Sequence, residues 1–389
     1  MDTQSLTTTI QFFAGNDAAL EALRQDASIL VIDALPEAIE DLFKILFPYI
    51  APGSPEFATT FRMYQEEEWN EAKTLENSTW AYFPWKRTLV HLPKKDIYYT
   101  LRTARNKFLI TAEEQDKFSQ AHIGIAGMSV GSSVLNAIVL SGGGANLRLA
   151  DHDTLSITNL NRLFGSVCDL TVPKLVAAMR RTYEIDPYTS IMAFDQGLRE
   201  EDFERFFEGD HKLDLFIEEI DDIQMKVLSR RRAKQLRIPV VMATDNGDNT
   251  IIDVERYDLE PDYPLFHGRA DEALLNTATS NPSQADKVRL ASTIVGSDVT
   301  PRTRYSLTMV GQKLPSWPQL GNAAILSGAA TSYVARRILA GDPMPSGRYE
   351  VNFDKDIDVE YNTPEATTDR ETQKQEFLTA LGLIYGGSK

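Results

Sequence analysis

The chain has 389 residues, 42% of them hydrophobic, with 40 Lys and Arg against 56 Asp and Glu and a net charge of −16. That length and apolar content suffice for a large core and predict two domains, while the negative charge, with a pI near 4.9, opposes a polyanionic partner such as nucleic acid. No 18-residue apolar run and no charged-then-apolar leader is evident, so neither a membrane span nor a secretory signal is expected, and the single cysteine, Cys168, fits a reducing cytoplasm.

Residues 1–98 read as a small α/β accessory domain. Ala34 to Leu46 has amphipathic helical spacing, Gly53 and Pro55 mark a turn, and Arg87 to His91 alternates as a strand does. Trp80, Tyr82, Phe83 and Trp85 could bind an extended peptide, but aromatic residues around a proline favour a packed corner.

A second domain is expected over 99–353. His122 to Ala126 is an apolar run of strand length, Gly127-Met-Ser-Val-Gly131 a tight turn, and Ser132 to Leu140 a helix with Val134, Ile138 and Val139 on one side. Strand, loop and helix start leave free N–H groups and a dipole that favour a phosphate. Asn146 to Ala150 makes a second strand, and Asp151 falls 24 residues after Gly127, where a dinucleotide fold places the carboxylate that grips ribose hydroxyls. The expected fold is α/β, a Rossmann-like and mostly parallel sheet flanked by helices. A strict G-x-G-x-x-G is absent, since Ser129 and Ser132 take the second and third glycine positions.

The next residues narrow the chemistry. Asp151-His-Asp153-Thr-Leu-Ser-Ile-Thr-Asn159-Leu-Asn161-Arg162, then Pro173-Lys174, then Asp214-Leu-Phe-Ile-Glu-Glu-Ile-Asp221-Asp222 place an amide, a guanidinium, an ammonium and a carboxylate near successive strand ends. A nicotinamide cofactor has no need of this set, whereas a triphosphate attacked at its α-phosphorus does: cations for the phosphates, a carboxylate for Mg²⁺.

These motifs, in this order and spacing, resemble the ubiquitin-activating-enzyme-like adenylyltransferases of the ThiF and MoeB type. Arg102-Thr-Ala-Arg105-Asn-Lys is similar to the segment by which that family lends an arginine to its partner subunit, and the resemblance runs from Leu101 to Phe353. It implies an ATP- and Mg²⁺-dependent enzyme that adenylates a carboxylate. Gly127, Ser129, Gly131, Asp151, Asp153, Asn159, Arg162 and Lys174 are then the candidate nucleotide contacts, with Asp151 on the ribose and Asn159, Arg162 and Lys174 on the phosphates. Asp221 would serve Mg²⁺ and catalysis, and Arg105 would act in trans within a homodimer.

Two departures refine this reading. The family's zinc-binding C-x-x-C pairs are missing, so no zinc is expected, and no cysteine follows Asp221 to carry a thioester. That points to the branch resembling the microcin C and pantocin peptide-modifying enzymes, where a carboxylate on a ribosomal peptide is activated and then attacked from within the same substrate, giving dehydration or cyclisation in antibiotic biosynthesis. The acidic charge favours a peptide or small carboxylate over the alternative, a tRNA-base dehydratase. A catalytically silent nucleotide- or partner-binding protein and an NAD-dependent oxidoreductase remain as other readings.

The rest is less legible. Between Thr244 and Arg304, Asp245 to Asn249 signals a turn, His267, Arg302 and Arg304 are candidate substrate contacts, and Arg230, Arg231, Arg232 and Lys234 read as a solvated helix face with Lys226 turned inward. Leu320 to Leu339 is expected to be a helix and Arg348 to Phe353 a strand. Residues 354–389 read as a polar, disordered tail with a short helix at Glu376 to Leu383.

Overall fold

The computed structural model describes residues 8–280 and 282–385. They divide into two compact units, one formed by Met1–Gln115 with Met179–Thr189, the other by Asp116–Ala178 with Ser190–Lys389.

The first unit carries four strands, β1 (Gln11–Phe13), β2 (Leu30–Asp33), β3 (Ser78–Phe83) and β4 (Thr88–Pro93), in the order β1-β3-β4-β2. β2 runs parallel to β4, and the other pairs are antiparallel. Helices Leu35–Leu46 and Pro55–Glu68 meet through Phe43, which has no exposed surface and packs edge-on to Phe57. Ser54 caps the second of these helices, accepting from Phe57 N–H at 3.0 Å, and Pro55 suits its first turn. The aromatic stretch is packed: Trp80 stacks on His91 with ring centroids 4.3 Å apart, and Trp85 Nε1 donates to Glu184 at 2.7 Å.

The second unit holds β5 (His122–Ala126), β6 (Asn146–Ala150), β7 (Ser190–Phe194), β8 (Leu215–Glu218), β9 (Val240–Asn246), β10 (Asn249–Glu255) and β11 (Gly347–Val351), ordered β11-β10-β9-β8-β5-β6-β7. The five strands from β7 to β9 are parallel, and β10 and β11 complete the sheet antiparallel. Residues 123–126 of β5 and 215–217 of β8 are buried runs without a polar side chain, as central strands covered on both faces must be. The chain leaves β5 in one direction, through β6 and β7, and returns to its other side as β8 and β9. Strand order reverses between β5 and β8, and a ligand crevice opens at the carboxyl ends of such a pair.

Helices Val130–Leu140 and Gly321–Ala340 lie together on this sheet, close enough that a Cβ on Gly328 would stand 2.6 Å from the Ser133 carbonyl oxygen. A side chain at Gly328 would wedge the two helices apart.

Three expectations change. Arg230 is fully buried, not solvated: it bridges Glu218 and Glu255, both also without exposed surface, while Lys226 Nζ lies 2.8 Å from Glu218 Oε1. Spacing on a polar helix gave no sign of the two acids waiting on β8 and β10. The segment after Phe353 is helical, from Pro364 to Tyr385, and is held through Arg304, whose Nη1 donates to the Arg370 carbonyl at 3.1 Å, and through the Lys374–Asp298 ion pair at 2.9 Å. Arg304 is thereby spent on the fold and is no substrate contact.

Candidate functional site

The loop after β5 is built around Gly127, whose φ of +94° belongs to the left-handed side of the backbone map. A Cβ there would lie 2.1 Å from the Glu219 carbonyl oxygen, so the position admits only glycine. Gly127→Ala is expected to cost on the order of 3 kcal/mol in stability and to abolish nucleotide binding, read by urea unfolding and by ATP titration calorimetry; an unchanged midpoint would contradict the geometry.

The same loop is tied to the next strand end. Asp151, buried at the end of β6, accepts Met128 N–H through Oδ2 at 2.6 Å and Asp153 N–H through Oδ1 at 2.8 Å. Burial raises the Asp151 pKa, and those two N–H groups pull it back only in part. Ser129 follows at the N-cap of helix Val130–Leu140 without its side chain capping the first turn. That turn therefore presents N–H groups to the crevice.

Two neighbouring cavities meet over this loop, of about 390 and about 330 Å³, and share Ser129, Lys174, Glu219, Ile220 and Asp221. The smaller is lined by Gly127, Asp151, Asp153 and Gln196 to Leu198; the larger adds Arg162, Thr244, Asp245, Trp317 and Gln319. Their sum is ample for a nucleotide and a second substrate.

Of the residues anticipated from sequence, Gly127, Ser129, Asp151, Asp153, Arg162, Lys174 and Asp221 line this two-lobed site. Lys174 Nζ lies 2.8 Å from Asp153 Oδ2, and the hydrogen bond from that ammonium holds the Asp153 carboxyl below its usual range. Arg162 donates through Nη1 to the Thr158 carbonyl and the Asn161 side chain, while its buried Nε has no partner. Burial lowers the Arg162 pKa against the pull of Asp245 and Asp221. A guanidinium so placed is short of one acceptor. Gly131 is the second residue of helix Val130–Leu140, where a Cβ would lie 3.2 Å from Ile125 Cγ2, and so acts on helix packing. Asn159 Oδ1 accepts from both the N–H and the hydroxyl of Ser156, which leaves its amide N–H₂ as the group to offer a ligand.

Arg105 belongs to the other unit, on the exposed turn Ala104–Asn106. His267 is held by Asp253 at 2.9 Å and Tyr263 at 3.0 Å; burial opposes the Asp253 charge, but His267 and Arg348 bring its pKa down to about 2. It is a structural histidine. Arg302 is exposed.

Sequence reasoning placed Lys226 inward but missed Glu219, Asp245, Trp317 and Gln319 as residues of the site. Glu219 Oε1 accepts Ala243 N–H at 2.7 Å, and burial pushes its carboxyl well above the usual range. Asp245 takes hydrogen bonds from Ser327 and Gln319 at 2.9 and 3.1 Å, with burial again raising its pKa. A polar run at the end of a buried strand was the available signal.

The residues fit ATP and Mg²⁺ in kind: an unsatisfied arginine, a lysine, an uncapped helix start and an exposed carboxylate converge. Among the described residues no group of three or more His, Cys, Asp or Glu side chains is placed to hold a metal ion. Mg²⁺ commonly takes one carboxylate and completes its shell from phosphates and water, which Asp221 alone could support.

Fold and crevice define an α/β nucleotide-binding domain of the doubly wound class. Residues 103–273 match the ThiF family. It is 32% identical over 339 residues to the Mycobacterium tuberculosis (strain CDC 1551 / Oshkosh) "Uncharacterized protein MT1398", covering 87% of this chain and 44% of that protein. It is 29% identical over 149 residues to the Bacillus subtilis (strain 168) tRNA threonylcarbamoyladenosine dehydratase, covering 38% of this chain and 58% of that one. The chain thus spans about half the length of these relatives. Among solved structures, E. coli MccB with ATP is 14% identical with a TM-score of 0.43, covering 81% of this chain and 87% of that one. PaaA is 19% identical with a TM-score of 0.43, covering 66% and 76%.

Proposed function

We propose that the protein activates a substrate carboxylate as its acyl-adenylate at the expense of ATP. A carboxylate oxygen attacks the α-phosphorus, the bond from that phosphorus to the bridging oxygen breaks, and pyrophosphate leaves. Arg162 and Lys174 bear charge that grows on the phosphates, Asp151 orients the ribose, and the first turn of helix Val130–Leu140 receives a phosphate oxygen. Mg²⁺ held at Asp221 would neutralise the leaving pyrophosphate. The observation that carries this reading is the convergence of Arg162, with its unpartnered Nε, Lys174 and Asp221 on one cavity beside the glycine turn.

The acceptor is read as a carboxylate on a peptide, resolved by an attacking group of the same substrate, with no thioester. Cys168 is exposed on the turn Val167–Asp169 and lines neither lobe, which supports this. The net charge of −16 favours a peptide over RNA, although the matched dehydratase acts, by its name, on a tRNA nucleoside. The test is release of AMP and pyrophosphate from ATP with peptides, free carboxylates and tRNA as separate arms. Release with tRNA alone would replace the peptide reading.

A homodimer with Arg105 serving the partner's site completes the proposal. Phe108 and Leu109, just beyond Arg105, are almost wholly exposed, and a second copy would cover them. Arg105→Ala is expected to inactivate, and mixing it with an Asp221→Ala subunit should restore activity, because one site per mixed dimer then has both groups. No recovery in the mixture would place Arg105 outside the partner's site.

A further inference from the structure

We infer that the carboxylate adenylated here sits next to an apolar side chain, branched aliphatic or aromatic, which fills the far wall of the larger lobe. The inference rests on the adenylation reading and names its substrate class. That lobe is two-faced: Arg162, Lys174 and Asp221 line it together with Ile223, Met242, Ala291, Ile294, Val295 and Trp317. The apolar face comes from the start of helix Ile223–Gln235, from β9, from the end of helix Gln284–Val295 and from the loop before helix Gly321–Ala340.

The charged groups bordering this face, Lys226, Asp245 and Glu219, are already engaged. Lys226 is held by both oxygens of Glu218, at 2.8 and 3.0 Å, and by Met242 Sδ at 3.3 Å. Asp245 is occupied by Ser327 and Gln319, and Glu219 accepts the Ala243 N–H. A substrate with an acidic side chain would find no uncommitted cation there beyond those needed by the phosphates, and a polar one would lose water against the apolar wall of Ile223, Met242, Ile294, Val295 and Trp317. An apolar side chain loses nothing and gains burial. The carboxylate must meet the α-phosphorus that the cations hold, so the apolar wall reads its neighbour.

The experiment is carboxylate-dependent exchange of labelled pyrophosphate into ATP, using N-acetylated tripeptides identical except for the C-terminal residue: Leu, Phe, Ala, Ser, Asp and Lys. Expected is a preference of roughly tenfold or more in kcat/KM for Leu or Phe over Ala and Ser, and larger over Asp and Lys. Exchange that is equal across the panel, or greatest with Asp or Lys, overturns the inference and leaves adenylation standing. No exchange with any peptide, although calorimetry shows ATP bound, overturns the peptide reading and the inference with it, whereas no exchange with peptides, free carboxylates or tRNA overturns adenylation itself. Trp317→Ala supplies a second reading: the KM for the preferred peptide should rise about tenfold while that for ATP holds. Equal shifts in both constants would remove Trp317 from the acyl lobe and overturn the assignment.

Discussion

Asp221→Ala should lower ATP- and carboxylate-dependent pyrophosphate release by at least roughly 100-fold while leaving the fold intact. Asp221 is exposed at the turn following β8, lines both lobes, and its side chain makes no hydrogen bond among the described residues; its neighbour Asp222 is the one that caps helix Ile223–Gln235, accepting Met225 N–H at 2.8 Å. Removing an exposed carboxylate from such a turn changes stability by less than about 0.5 kcal/mol. On the proposed reading, losing a charge that would hold Mg²⁺ against a leaving pyrophosphate would cost roughly 3 kcal/mol of transition-state stabilisation, which is the 100-fold. The measurement is initial-rate pyrophosphate release across a Mg²⁺ titration, with thermal unfolding alongside. A variant with the parent's rate and the parent's Mg²⁺ dependence would remove Asp221 from the chemistry.

Arg230→Met should destabilise the protein by about 3–5 kcal/mol, the cost of leaving a buried charge uncompensated. Methionine nearly matches the arginine stem in volume, so the loss is electrostatic and not a cavity. Glu218 and Glu255 both lack exposed surface, and Arg230 lies between them, with its guanidinium also 4.4 Å from the Phe266 ring centroid. Burial opposes the Arg230 charge, yet Glu255 and Glu218 outweigh it and raise its pKa. Arg230→Lys should recover only part of the loss, since one ammonium cannot reach two carboxylates as a fork of N–H groups does. Urea unfolding monitors both variants, with a lower midpoint at unchanged slope expected. An unshifted Arg230→Met midpoint would show the acids neutralised by protonation instead. The effect reaches the site, because Glu218 Oε1 also accepts the Ile220 N–H at 2.8 Å, one residue before Asp221.

What could be read from the sequence was what is local. β5, the turn at Gly127, β6 and Asp151 lie within 30 consecutive residues, and their spacing is dictated by strand and helix geometry, so His122–Ala126 and Asn146–Ala150 occur where expected. The helix read from Ser132 begins two residues earlier, at Val130, because an N-terminal turn has no periodicity of its own. Arg230 and Arg304 were misplaced for a different reason. An arginine is solvated or buried according to whether acceptors meet it, and those acceptors, Glu255 from β10 and the Arg370 carbonyl from the final helix, are 25 and 66 residues away. The apolar wall of the larger lobe was invisible for the same cause, being assembled from four separated segments.

Asp151 carries a load on each oxygen that shapes how its role can be dissected. Because its carboxylate anchors the backbone at Met128 and at Asp153, any replacement loosens the loop, and Asp153 in turn steadies Lys174. A lifeless Asp151 variant would therefore report a collapsed cradle as readily as a missing sugar contact. The informative change is on the ligand: ATP against 2′-deoxy- and 3′-deoxy-ATP, offered to the unaltered protein, removes one hydroxyl at a time and leaves the cradle standing.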